Sequence, residues 1–147
     1  MAVSVMAIEI PELPELLKKL KTIGDKKLAN KAFRKGLRTG AKRMAKEARH
    51  RAPIHDGPYP ESRKDREPGT YQKSIKVRAI KRTRKGVGVR VADWRDKGSY
   101  YGAFGELGTK HEAAKPVLRP AFDRNKDATV DDVKQEIKTA VEGAFKK

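Results

Sequence analysis

Asp25 to His50, DKKLANKAFRKGLRTGAKRMAKEARH, is the longest stretch of the chain that keeps one period, and its reading decides what the other segments must pack against. Ala29, Phe33, Leu37, Gly40, Met44 and Ala48 recur every three or four residues, which places them along one side of an α-helix. Lys27, Lys31, Arg34, Arg38, Lys42 and Arg49 run along the other side. Asp25 is a suitable N-cap, and Ala52-Pro53 ends the helix soon after His50. Ala32, Gly36 and Gly40 repeat every four residues beside the apolar stripe. Each glycine inside a helix costs ~1 kcal/mol relative to alanine, so this spacing predicts another element packed close against it. A sheet of the same chain is the preferred neighbour, with a second subunit as the alternative.

Upstream, Val3 to Ile10 is apolar and β-branched and stops at Pro11, the pattern of a short strand. Leu13, Leu16, Leu17 and Leu20 then mark a short amphipathic helix that Gly24 closes. Downstream, residues 52–70 (APIHDGPYPESRKDREPGT) hold four prolines and no hydrophobic period, which predicts a long mobile loop that orders, if at all, against a partner. Tyr71 to Ile80 and the valines at 87, 89 and 91 alternate in the manner of strands, and KRTRKG between them makes a basic hairpin tip. Near the C-terminus, Val130, Val133, Ile137, Val141 and Phe145 share one helical face. Thr129 and Asp132 resemble a capping box at its start, and Leu118 to Arg124 offers an earlier start. The expectation is an α+β fold. The long helix and a C-terminal helix lie on a small antiparallel β-sheet, in a single domain over residues 1–147.

The 147 residues carry a formal charge of +17 with 37% charged and 37% hydrophobic residues, so the surface must be strongly basic. Such a charge attracts nucleic acid, anionic membrane or acidic protein without choosing among them. No cysteine is present, which removes disulfides, thiolate metal ligands and thiol nucleophiles. The opening MAVSVMAIEI lacks a basic leader and carries Glu9. No run nears the ~20 apolar residues of a membrane span, so a soluble protein with no membrane contact is expected.

Catalytic signals are weak. His50, His55 and Asp56 sit near one another in sequence, but in no trusted metal-ligand spacing, and His111 beside Glu112 has neither a nucleophile nor an orienting third group. The phosphate-cradling and hydrolase motifs are missing, so neither an enzyme nor a cofactor is expected. The basic side of the long helix has Glu47 as its only acid between Asp25 and His50. Phosphate or acidic-surface contact there, through Lys31, Arg34, Arg38, Lys42 and Arg49, weighs evenly against a merely solvated face. The hairpin tip, with Arg82, Arg84 and Lys85, is the second such surface. Any DNA contact should be non-specific, since no base-reading signature is present.

Tyr100 to Asp123, YYGAFGELGTKHEAAKPVLRPAFD, concentrates aromatic, glycine and proline residues and specifies a shape rather than a reaction. Tyr100, Tyr101 and Phe104 are candidate packing or interface anchors, and Gly108-Thr109 a tight turn. Leu118, Arg119 and Pro120 lead into the last helix. Glu106 needs a cation if it is partly buried, and Arg119 is the preferred partner; solvation of both is the alternative.

These residues carry a resemblance. The long basic helix, Ala52-Pro53, Gly69-Thr70, Ser74-Ile75-Lys76-Val77, then Tyr100-x-x-x-Phe104-x-Glu106-x-Gly108-Thr109 and Pro116-x-Leu118-Arg119-Pro120-Ala121 follow one another in order. In this the chain resembles the head–tail joining and tail-completion proteins of long-tailed bacteriophages, the gene-product-ten family of lambdoid siphophages, over about residues 10 to 145. Gly105 and Val117 depart from it, each with less bulk than the family's usual residue. The resemblance implies a structural virion protein of the neck, assembled in the host cytoplasm. It implies a self-associated ring, a hexamer by expectation, between the head connector or stopper and the tail terminator or tube, around the path of genomic DNA. Tyr100, Tyr101, Phe104, Glu106, Gly108, Thr109, Leu118, Arg119 and Pro120 would then serve assembly. A stand-alone nucleic-acid-binding protein and a tail terminator are the alternative readings.

Overall fold

The computed structural model describes residues 26–54, 68–80, 87–91 and 101–145, and Glu15 and Lys18 besides, both helical. Its elements follow in the order α1 (Lys26–Arg51), α2 (Thr70–Ser74), β1 (Val77–Ala79), β2 (Val89–Val91), α3 (Tyr101–Leu107) and α4 (Leu118–Phe145). The class is α+β, as the sequence predicts. The predicted first strand, the body of the leucine-rich helix, the Asp25 cap, residues 55–67 of the long loop and the hairpin tip lie outside the described residues.

α1 forms where its period predicts, and its last turn carries Arg49 and Arg51, cations that suit the negative end of the helix. The Ala52 N–H still bonds back to the Ala48 carbonyl at 2.9 Å before Pro53 stops the pattern. The neighbour of the small-residue stripe is α4, rather than the sheet that was expected. A Cβ added to Gly36 would stand 2.5 Å from the Val133 Cα, and one added to Gly40 would collide with the Thr129 side chain. The glycines thus admit a helix whose backbone nearly touches their own, and α1 and α4 run antiparallel along this seam. Ion pairs border it, Lys35 to Glu136 at 2.9 Å and Arg43 to Asp132 at 2.8 Å. Ala32, Val133 and Ile137 are buried along it, flanked by Ala29, Phe33, Leu37, Val130, Ala140 and Val141.

α4 starts at Leu118 and continues unbroken through Thr129, so the Thr129–Asp132 pattern is no cap. The Thr129 hydroxyl donates to the Asn125 carbonyl one turn back at 2.7 Å, and Asp132 is used by Arg43. Pro120 falls in the first turn of α4, where a missing N–H leaves nothing unpaired.

The second half of α1 meets the sheet. β1 and β2 pair antiparallel, Val77 opposite Val91, Arg78 opposite Arg90 and Ala79 opposite Val89, and α1 contacts both strands. The first residues of the predicted strand over Tyr71 to Ile80 instead form α2, entered through Gly69 at φ 77°, a left-handed conformation that favours glycine. Ala45, Ala48, Ala52, Ile75, Val117 and Ala121 make a second buried cluster here, with Tyr71, Val77, Val91 and Leu118 at its edge. This cluster gathers α1, the α2–β1 link and the start of α4 around the segment the sequence singled out.

Candidate functional site

YGAFGEL, within the stretch read as specifying a shape, forms the short helix α3. Gly108 ends it at φ 75°, and its N–H bonds to the Phe104 carbonyl at 2.7 Å. The turn expected at Gly108-Thr109 is present: the Thr109 hydroxyl oxygen accepts the backbone N–H groups of His111 (3.2 Å) and Glu112 (3.1 Å). The Lys115 N–H then returns to the Gly105 carbonyl at 2.8 Å, closing the loop back onto α3. A side chain at residue 108 would meet the Ala114 nitrogen at 2.8 Å, so shape and positive φ both demand glycine there.

Glu106 holds this unit to the body of the protein. Its Oε1 accepts the Tyr71 hydroxyl at 2.6 Å, the Val117 N–H at 2.9 Å and the Leu118 N–H at 3.0 Å. The two amides belong to the N-terminal end of α4, where a carboxylate satisfies otherwise unpaired donors and faces the positive end of the helix. The partner is therefore a helix terminus and a phenol, and the expected Glu106–Arg119 brace is corrected. Arg119 is exposed and makes no ion pair among the described residues. Burial, with Glu106 next to it, holds the Tyr71 phenol well above its usual pKa of 10.0, so it stays a donor across ordinary pH.

On the outer side of this braced unit Phe104 is 41% and Leu107 61% exposed, and Gly105 is open to solvent with nothing for a side chain to meet. The other expected assembly residues divide. Tyr101 begins α3, Leu118 is half-buried at the cluster edge, Pro120 is half-buried in the first turn of α4, and Tyr100 lies outside the described residues. Tyr71 and Leu107 were not anticipated. Nothing local could have marked Tyr71, because its partner is 35 positions away.

The basic side of α1 is the second surface. Lys31, Arg34, Arg38 and Lys42 are exposed, as is Lys46, and none makes an ion pair among the described residues. Arg49 differs from that row: its Nε donates to the Ile75 carbonyl at 2.7 Å, and its own carbonyl accepts the Gln72 amide at 2.8 Å. It fastens α2 and β1 to α1. Arg82, Arg84 and Lys85 of the hairpin tip lie outside the described residues, as do His55 and Asp56. Among the described residues, an apolar hollow of about 50 Å³ lies between Met44, Val91, Leu118 and Phe122, far below the ~300 Å³ at which small-molecule sites begin. No described helix is long and apolar enough to cross a membrane.

Compared with known proteins, residues 14–108 match the family model described as "Bacteriophage HK97-gp10, putative tail-component". The matched span takes in α1, the sheet and α3 up to Gly108. No curated protein and no solved structure matches the chain.

Proposed function

Since the chain belongs to the HK97-gp10-like family of phage tail components, we propose that it is a non-enzymatic structural subunit of the virion that completes the tail at the neck. The observation that carries this reading is the family match, which spans most of the elements described above. In the proposed role, subunits join as a closed ring, expected to be a hexamer, between the head connector or stopper and the tail terminator or tube. A ring needs two different faces that complement each other around the axis. Phe104 and Leu107, an apolar pair on a helix held rigid by Glu106, supply one such face. Interfaces favour aromatic residues at their cores, and a face positioned by hydrogen bonds loses little entropy on docking. Tail termination is the neighbouring alternative, and labelling the protein within intact particles separates the two by position.

The test is assembly. Phages carrying Phe104→Ser together with Leu107→Ser should produce heads and tail tubes that fail to join, while the purified variant keeps the circular dichroism of the wild type. Normal tailed particles from that variant would remove α3 as the contact. Wild-type protein that is absent from purified virions would remove the structural role altogether. A monomer in isolation decides neither, because neck subunits can close their ring on a template.

A further inference from the structure

We infer that the solvent face of α1 binds the phosphate backbone of double-helical DNA through Lys31, Arg34, Arg38, Lys42 and Lys46. Every exposed residue of α1 from Lys27 to Arg51 is lysine, arginine, histidine or threonine. The face has no exposed apolar or aromatic side chain, because the apolar side of α1 is taken up by α4 and the second cluster. That absence discriminates among anionic partners. A protein partner calls for an apolar interface core with charge kept to the rim. A single strand calls for aromatic platforms on which bases stack. An anionic membrane calls for an apolar face alongside the cations. A duplex backbone asks only for cations at fixed spacing, since phosphate contacts position without reading bases.

The geometry agrees. At ~1.5 Å per residue the row from Lys31 to Lys46 is about 22 Å long, and a DNA strand passes a phosphate every ~3.4 Å, so the row runs past about six of them. Cations that α1 uses internally are not counted in the row: Lys35 and Arg43 reach α4, and Arg49 holds Ile75. Glu47, the one acid of α1, is turned to Arg51, Arg124 and Asn125 and does not neutralise the row. This inference needs no ring and stands on the single subunit.

The experiment is a salt series of binding to a labelled 30-base-pair duplex with the full chain, followed by fluorescence anisotropy. Three proteins are compared: wild type, a row variant (Lys31→Gln, Arg34→Gln, Arg38→Gln, Lys42→Gln), and a control of equal charge (Lys110→Gln, Lys115→Gln, Lys126→Gln, Lys138→Gln) drawn from exposed positions elsewhere. Each lost phosphate contact lowers the log–log salt slope by ~0.9, so the row variant should lose about three to four units of slope. The control should stay within one unit of wild type. Equal losses in both variants would reduce the effect to bulk charge and overturn the inference, and so would no binding by the wild type at 100 mM salt. Competition supplies the second arm. Unlabelled duplex should displace the label at least tenfold better, per charge, than a single-stranded 30-mer, polyglutamate or phosphatidylserine vesicles, and parity with any of these also overturns it. Should the row variant lose its helical signal, the pair Arg38→Gln and Lys42→Gln is read in its place, with about two units of slope expected. The Phe104→Ser, Leu107→Ser protein should keep the full slope, which separates this surface from the assembly face.

Discussion

One oxygen of Glu106 serves three donors from two distant parts of the chain, and that arrangement makes the residue hard to replace. Hydrogen bonds to a charged acceptor contribute ~1.5–3 kcal/mol each, and partly buried amides left without one cost a similar amount. Glu106→Gln keeps the shape and loses the charge, so it should lower stability by roughly 1–3 kcal/mol in urea denaturation, and Glu106→Ala by more. An unchanged midpoint for Glu106→Gln would show that the carboxylate contributes nothing beyond shape. Tyr71→Phe removes one donor and should cost roughly 1.5–3 kcal/mol, with a coupling to Glu106→Gln above ~0.5 kcal/mol in a double-mutant cycle. The same pair shapes the alkaline limb of stability. The folded phenol holds its proton above the usual value of 10.0, so above pH 10 the unfolded chain has released a proton that the folded chain still binds. Stability from this group is complete below pH 10 and falls as pH rises further, by at most ~1.4 kcal/mol per pH unit. Tyr71→Phe should flatten that fall, and identical alkaline limbs for the two proteins would contradict the buried bond.

At the scale of elements, the seam between α1 and α4 sets the sign of glycine substitutions. Exchange of glycine for alanine inside a helix gains ~1 kcal/mol of propensity where space is open. Gly143 in α4 is exposed with nothing for a methyl to meet, so Gly143→Ala should raise the melting temperature. Gly36→Ala places its methyl against the Val133 backbone, and Gly40→Ala against Thr129, so both should lower it despite identical chemistry. Thermal scans of the three proteins check this, and a stabilising Gly36→Ala would mean the helices stand farther apart. The ion pairs bordering the seam involve partly exposed side chains, and pairs of that kind contribute about 0–1 kcal/mol, so close packing rather than charge holds the helices together.

Across the whole molecule, the charge of +17 governs behaviour in solution more than any single contact does. Arg78 and Arg90 stand opposite each other on the two strands, both exposed, and the α1 row adds five more cations. Like charges at these separations repel in the folded state, and the repulsion is screened over a Debye length of ~10 Å at 0.1 M salt. Raising sodium chloride from about 20 to about 300 mM should therefore raise the melting temperature by several degrees. A salt-independent melt would show that the repulsion persists equally in the unfolded chain. The same charge should make association with any acidic partner fast and salt-sensitive.

How much of this was legible before the fold follows from the range of each signal. The 3.6-residue period wrote α1 and the inward side of α4 into the sequence, because a helix repeats its pattern locally. The close approach at Ala32, Gly36 and Gly40 was equally plain, since glycine inside a helix is costly without a reason. Gly108-Thr109 announced its turn, and the basic side of α1 could be counted residue by residue. Other features depended on contacts between distant residues. That α4, rather than the sheet, fills the glycine stripe depends on how the chain returns after Pro116. The sequence offered a start of α4 at Leu118 as well as at Thr129, and the choice between them rests on the first turn finding Glu106 as its tertiary acceptor. Glu106 took the Tyr71 hydroxyl and the Val117 and Leu118 amides rather than the nearby Arg119 side chain, because a carboxylate takes whichever donors the packed backbone delivers, and that is set by how α2, α3 and the start of α4 meet. Local periodicity and charge were determined by the sequence alone; pairing across the core was decided by the tertiary structure, where distance along the chain no longer measures distance in space.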